Sequence, residues 1–257
     1  MHLTIEESSI AAKFYSLFAN LAGLINHVCI YISPEGLYMQ GMDPSQICLF
    51  DVNITSQWFT TYSSDKEKTS ICVSTRFLEK ILSTYKSDQI MDLNINYDTD
   101  TLNISFINGT TTCDKFFELP MIDVNNEIIK LSDTESHVEL CMTSKKLTEL
   151  VSQIEIFDKI VTFELSEKKV LMKASGDKGS MMAKLSLEDS QLLDYAVMEG
   201  LELSQSFSLK HIKLMIAFNK IAKEVKLELT KDRPLIMTYD LEKESTLKLV
   251  LAPNIED

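Results

Sequence analysis

Ile32-Ser33-Pro34-Glu35-Gly36-Leu37-Tyr38-Met39-Gln40-Gly41-Met42-Asp43-Pro44-Ser45-Gln46-Ile47-Cys48-Leu49 places apolar runs on either side of a Pro-Glu-Gly turn. Displaced by 133 residues, its first half meets its own pattern: Ile32-Ser33 falls on Leu165-Ser166, and Leu37-Tyr38-Met39 on Val170-Leu171-Met172. The same offset carries Phe14, Leu17 and Leu21 onto Leu147, Leu150 and Ile154, and Leu102, Ile104 and Phe106 onto Leu235, Met237 and Tyr239. With one residue of drift, Met91, Leu93 and Ile95 meet Val225, Leu227 and Leu229. A shared period of this length indicates two copies of one domain.

Each copy reads as strand, helix, several alternating strands, helix, then more strands. Alternation is clear in Leu102-Asn103-Ile104-Ser105-Phe106 and in Val225-Lys226-Leu227-Glu228-Leu229, as half-buried sheet requires. Turns are marked at Asp98-Thr99-Asp100, Asn108-Gly109 and Lys231-Asp232-Arg233-Pro234. The expected class is α+β, with two similar domains of antiparallel sheet carrying two helices each. Residues 1–119 form the first domain, 120–136 a polar linker around Ile128-Ile129, and 137–257 the second.

The 257 residues, 45% of them apolar, are enough for each copy to bury its own core. No window of about eighteen uncharged apolar residues occurs, so no membrane partner is expected. Met1 to Glu7 lacks the basic start and apolar run of a signal peptide. Five scattered cysteines (Cys29, Cys48, Cys72, Cys113, Cys141) include no C-x-x-C pair, so they are expected as ordinary half-buried strand thiols of a reducing compartment. The histidines are isolated, and no H-E-x-x-H, G-x-S-x-G or Walker loop is present. These patterns predict neither a catalytic centre nor a metal or cofactor.

A formal charge of −13 argues against nucleic acid, but its distribution does not. Four segments read as amphipathic helices, about 9–22, 74–86, 143–157 and 208–223; together they carry +7 and leave −20 to the rest. Lys210, Lys213, Lys220 and Lys223 share a helix without a single acid. A solvated helix face is the ordinary alternative; a surface with one basic and one acidic side is the functional one.

The opening segment, with its Gly-hydrophobic-x-x-Gln-x-Met-Asp-x-Ser pattern, and the terminal Leu251-Ala252-Pro253-Asn254-Ile255-Glu256 resemble the eukaryotic and archaeal DNA sliding clamp family of proliferating cell nuclear antigen, along the whole chain. The resemblance implies the DNA clamp fold in a head-to-tail homotrimeric ring, acting as a polymerase processivity factor without chemistry. Its partners would be duplex DNA, a DNA polymerase, a clamp loader and other proteins bearing short Gln-x-x-hydrophobic-x-x-aromatic-aromatic motifs. It implies roles in replication and repair, and nuclear residence, or a viral replication factory for a viral member. DNA would be met by Lys13, Arg76, Lys80, Lys145, Lys146, Lys210, Lys213 and Lys220. Partner peptides would be met by Met42, Ile47, Leu49, Ile128, Ile129, Pro234, Tyr239, Ala252, Pro253 and Ile255. Subunits would join through strands around Thr111 to Phe117 (Thr111, Cys113, Lys115, Phe117) and Ser180 to Leu185 (Met181, Ala183, Leu185). The chain departs from the family at Ala22, Glu149 and Ser152, where bases are usual, at Lys130, where proline is usual, and at Glu167, where relatives carry a modified lysine.

Alternatives stay open at this level. The apolar partner residues could be plain core, and both subunit strands could be internal. A monomeric polymerase accessory factor or one subunit of a heterotrimeric clamp would share the fold, while an enzyme would need a constellation that is not visible.

Overall fold

The computed structural model describes residues 1–64, 69–124, 127–131 and 135–254. The chain forms two compact units, one from residues 1–44, 50–129 and 241–247, the other from 45–49, 130–240 and 248–257. The first contains, in chain order, β1 (His2–Ile5), α1 (Ser8–Leu24), β2 (His27–Ser33), β3 (Gly36–Met42), β4 (Cys48–Thr55), β5 (Thr61–Ser63), β6 (Thr69–Ser74), α2 (Thr75–Leu82), β7 (Ile90–Asn96), β8 (Thr101–Ile107) and β9 (Lys115–Pro120). The second repeats that order: β10 (Val138–Thr143), α3 (Ser144–Ile154), β11 (Ile160–Ser166), β12 (Lys169–Gly176), β13 (Gly179–Leu185), β14 (Leu192–Val197), β15 (Glu202–Ser208), α4 (Leu209–Ile216), β16 (Glu224–Leu229), β17 (Leu235–Asp240) and β18 (Thr246–Leu251).

Topology repeats with the same fidelity. In the first unit strands pair in the orders β5-β1-β7-β8-β9 and β4-β3-β2-β6; in the second they pair as β14-β10-β16-β17-β18 and β13-β12-β11-β15. Each element of one unit thus has its counterpart in the other, as the 133-residue period predicts. Gly36 enters β3 at φ +147°, and a Cβ there would sit 2.0 Å from the Ile54 carbonyl, so the Pro-Glu-Gly turn admits no side chain at its third position.

The helices bury the positions that periodicity selects. On α1 these are Ile10, Ala11, Phe14, Leu17, Phe18, Leu21 and Leu24. Phe14 packs on Phe18 and near Trp58, whose indole N–H donates to the Leu241 carbonyl at 2.9 Å. In the second unit Phe163, Phe207, Phe218 and Tyr239 are fully buried. Three helices end earlier than their apolar spacing predicts. After α2, the hydroxyls of Ser83 and Thr84 take the Lys80 and Ile81 carbonyls, competing with helical continuation. After α4 the chain tightens into a 3-10 turn over Ala217–Lys220, so Lys220 lies beyond the α-helix. Thr143 caps α3 by accepting the Lys146 N–H, and that helix stops at Ile154.

Two expectations are corrected. Cys29 and Cys72 are disulfide-bonded, not separate thiols: 43 residues apart, they stand directly opposite in the β2–β6 register, which spacing along the chain cannot reveal. Cys48, Cys113 and Cys141 take no part in a disulfide. The strand expected from Thr111 begins only at Lys115, leaving Thr111 and Cys113 in the preceding bend. Asn108 turns the chain at φ +61°, and Asp88 then gathers the bend by accepting the Thr111 N–H (3.2 Å) and the Thr111 and Thr112 hydroxyls (3.0 and 3.3 Å). Beyond this bend β9 pairs only with β8, and β13 only with β12, among the described residues.

The hydrogen bonds from the Thr111 backbone, then the Thr111 and Thr112 hydroxyls, hold the Asp88 carboxyl below its ordinary range. A depressed carboxylate stabilises above its unfolded value of about 4 and loses that contribution as pH falls through the folded value. Asp88→Ala should therefore speed amide exchange at Thr111 at neutral pH, and the difference from the parent should vanish once acid protonates the parent's carboxyl. Equal exchange at pH 7 would refute the anchoring role.

Candidate nucleic-acid and partner interfaces

Helix geometry separates apolar and charged positions, and the cations occupy the outer side of each helix. In the first unit α2 exposes Arg76 and Lys80, with the Lys80 ammonium 5.7 Å from the centre of the exposed Phe77 ring. Lys13 on α1 is tied to Glu242 at 2.7 Å. In the second unit Lys145 lies 3.9 Å from Glu149, Lys146 3.2 Å from Asp189, and Lys213 2.5 Å from Glu155. Lys210 and Lys220 are exposed. Among the described residues neither they nor Arg76 and Lys80 form an ion pair. Half of the eight candidate cations thus already face a carboxylate. The exposed pairs of Lys145 and Lys213 contribute about 0–1 kcal/mol, so a phosphate can compete for them, whereas Lys13 and Lys146 are half-buried in theirs; the four cations without an ion pair among the described residues carry the stronger positive potential. Of the four acids responsible, Glu149 and Glu155 belong to the counted segment 143–157, whereas Glu242 and Asp189 lie outside all four segments and leave no trace in a helix-by-helix charge count.

The apolar partner candidates divide by burial. In the first unit Ile128 and Ile129 are 48% and 46% exposed, and Met42 is half-buried. In the second, Ile47 is 37% exposed, and its carbonyl accepts the Ala252 N–H at 3.0 Å, joining the 45–49 segment to the tail. Ala252 and Pro253 are half-buried, and the Asn254 N–H donates to the Ser206 carbonyl on β15. Pro234 is exposed on a depression of about 210 Å³ that also includes Leu131, Ile236 and Val250. Leu49 and Tyr239 differ: both are core side chains, and the Tyr239 hydroxyl donates to the Met215 carbonyl at 3.2 Å. Burial pushes that phenol's pKa far up, so it stays protonated. Neither residue offers surface to a peptide: Tyr239 takes the inward side of an alternating strand, and Leu49 lies between the equally buried Cys48 and Phe50. Ile255 lies outside the described residues.

At the two edge strands, Phe117, Lys115, Met181 and Ala183 are half-buried while Leu185 is buried. Lys115 donates to the Thr84 carbonyl. The most exposed apolar side chains of these edges are instead Phe116 (72%) and Met182 (62%), the neighbours of the expected residues. Their doublets, Phe116-Phe117 and Met181-Met182, were the available signal: in a strand, one member of each must face outward. Among the described residues, no group of three or more His, Cys, Asp or Glu side chains is placed to hold a metal ion. No helix there is long and apolar enough to cross a membrane.

Known proteins resemble this chain along its length. Residues 2–130 match the family model described as proliferating cell nuclear antigen, N-terminal domain, and residues 130–254 match that of the C-terminal domain. Proteins named DNA polymerase sliding clamp are similar over 247 residues, 96% of each chain: at 30% identity in Pyrococcus horikoshii and Thermococcus onnurineus, and 29% in Thermococcus fumicolans. With both of its repeated units matched in order, the chain belongs to the proliferating cell nuclear antigen family.

Proposed function

We propose that this protein is a DNA polymerase sliding clamp, a processivity factor that encircles duplex DNA and carries replication proteins along it. One observation supports the reading above the others: two copies of one fold, each with an exposed edge strand, β9 in the first and β13 in the second. Unpaired edges invite pairing, and two different edges on one chain can join head to tail. Three subunits closing in this way give a homotrimeric ring, with Phe116 and Met182 covered on assembly. The role is mechanical. A closed ring cannot leave DNA without opening, while its lysine and arginine side chains meet phosphates that repeat along the duplex and carry no sequence information.

Native mass in solution tests the assembly: about three times the 29.2 kDa chain mass is expected. Phe116→Asp should shift the population toward monomer. A stable monomer of the parent at micromolar concentration would favour an accessory factor that binds by one face. A trimer that forms only with other chains would favour a mixed ring.

For DNA, we assign the leading role to Arg76, Lys80, Lys210 and Lys220, with Lys13, Lys145, Lys146 and Lys213 contributing after exchange of their carboxylates. Only two arginines occur in the chain, so diffuse lysine attraction dominates over bidentate clamps. Charge reversal at Arg76, Lys210 and Lys220 should weaken retention on circular DNA. Each phosphate that the variant no longer neutralises should flatten the log–log salt dependence by roughly 0.9. An unchanged slope would mean that these cations face away from DNA.

For partners, we assign the reception of Gln-x-x-hydrophobic-x-x-aromatic-aromatic peptides to Met42, Ile128 and Ile129 of the first unit and Ile47, Pro234, Ala252 and Pro253 of the second, with Ile255 following on the tail. Polymerase, clamp loader and repair proteins would compete for these residues, in the nucleus or, for a viral protein, in a replication factory. Losing one aliphatic anchor usually costs about 1–3 kcal/mol, or roughly ten- to hundredfold in affinity. Ile47→Ala with Ile129→Ser should reduce peptide binding by at least that range while leaving native mass unchanged. Equal binding by variant and parent would remove these residues from the site.

A further inference from the structure

Gln40 lies on β3 with only 3% of its surface exposed. Burying a primary amide is unfavourable unless its polar atoms find partners. Here Nε2 donates to Asp51 Oδ2 at 3.0 Å and to the Ile129 carbonyl at 2.9 Å, while Oε1 accepts the Ile129 N–H at 2.7 Å. The side-chain amide therefore mates with both main-chain groups of a single residue 89 positions away. Its orientation is unambiguous. Reversed, it would set NH2 against the Ile129 N–H and an oxygen against the Asp51 carboxylate. Asp51 is in turn fixed by the Tyr38 hydroxyl, which donates to the same Oδ2 at 2.7 Å. Burial and then Asp51 itself push the Tyr38 phenol's pKa up, so it remains a donor at neutral pH.

What this network holds is unusual. Ile128 and Ile129 keep nearly half their surface in solvent, so their side chains are only partly packed against the unit. The directed hold on this segment comes from the main chain at Ile129. Ile128 forms one side of a depression of about 390 Å³ whose other walls include Tyr31, Tyr38 and Ser70. An aliphatic pair held outward by its backbone is already shaped for contact, and preorganisation of this kind reduces the entropy lost on binding.

We propose that Gln40 is a positioning residue for partner recognition: its amide clasps the Ile129 main chain and presents Ile128 and Ile129 outward as a preformed edge for an incoming peptide. The inference rests on the partner reading above and deepens it. It also gives a physical reason for glutamine in the opening motif. Glutamate at this position keeps the acceptor for the Ile129 N–H but loses both donors and adds a second negative charge beside Asp51. Methionine has similar length and makes none of these hydrogen bonds.

The test combines two readouts on the full-length protein. Amide exchange at Ile129 reports the clasp without any partner, and titration with a Gln-x-x-hydrophobic-x-x-aromatic-aromatic peptide reports its use. Both Gln40→Met and Gln40→Glu should raise exchange at Ile129 by about tenfold and weaken the peptide several-fold, with native mass unchanged. For Gln40→Glu the peptide deficit should shrink as pH is lowered, because protonation restores a donor, whereas Gln40→Met should show no such recovery. A role confined to global stability would not produce that difference. Unchanged exchange in both variants would overturn the clasp. Faster exchange with unaltered peptide affinity would overturn the positioning role. A parent that binds no peptide would count against the partner reading itself, and the exchange rate would still decide whether the clasp exists.

Discussion

An antiparallel ladder leaves a row of unpaired backbone donors and acceptors along each edge, and the way those rows are closed governs much of this molecule. Within each unit, one edge is met by a passing strand of chain. After β9 the chain turns so that the Ile122 N–H donates to the Cys72 carbonyl on β6; after β18 the Asn254 N–H donates to the Ser206 carbonyl on β15. Since β6 and β15 are counterparts, as are β9 and β18, the connecting segment and the terminal tail are the same structural piece in two copies. The apolar partner candidates concentrate in those two pieces. Ile128 and Ile129 follow one, and Ala252 and Pro253 belong to the other. The edges of β9 and β13 receive no such cover among the described residues.

Much of this was legible in the sequence, for definite reasons. The duplication could be read because hydrophobic periodicity survives where residue identity does not: Phe14, Leu17 and Leu21 share only apolarity with Leu147, Leu150 and Ile154. The edge strands could be named by resemblance, but their limits could not, because Asp88 reaches across from another element to fold Thr111 and Thr112 into a bend. Helix ends were overrun at Ser83 and Thr84 because spacing records the apolar stripe and not the hydroxyls that terminate it. Leu49 and Tyr239 are named by resemblance, but alternation along a strand fixes which residues share a face, not which face is buried, and at Leu49 both faces are covered. The pairing of Cys29 with Cys72 depends on cross-strand register, which is invisible in linear spacing.

Charge shows a comparable division between what counting gives and what geometry adds. A net +7 on four segments leaves out Glu242 and Asp189, which reach the basic helices from elsewhere in the chain. The resulting surface is a weaker cation than the count implies, consistent with a protein of net charge −13 whose hold on phosphate must be loose enough to allow movement. Gln40 shows the opposite case: a neutral side chain, unremarked by any charge count, that makes three directed hydrogen bonds.

The chain's single tryptophan gives this two-unit architecture an optical consequence. Trp58 is sealed among Phe14 and Phe59 and bonded to Leu241, with every one of these groups in the first unit. Its emission is therefore a private channel that registers melting around α1 and is silent about the environment of Phe163, Phe207 and Tyr239. Far-ultraviolet dichroism sums the backbone of both units. Divergence between the two signals on heating would resolve the units as separate cooperative bodies; coincidence would mean that they melt as one.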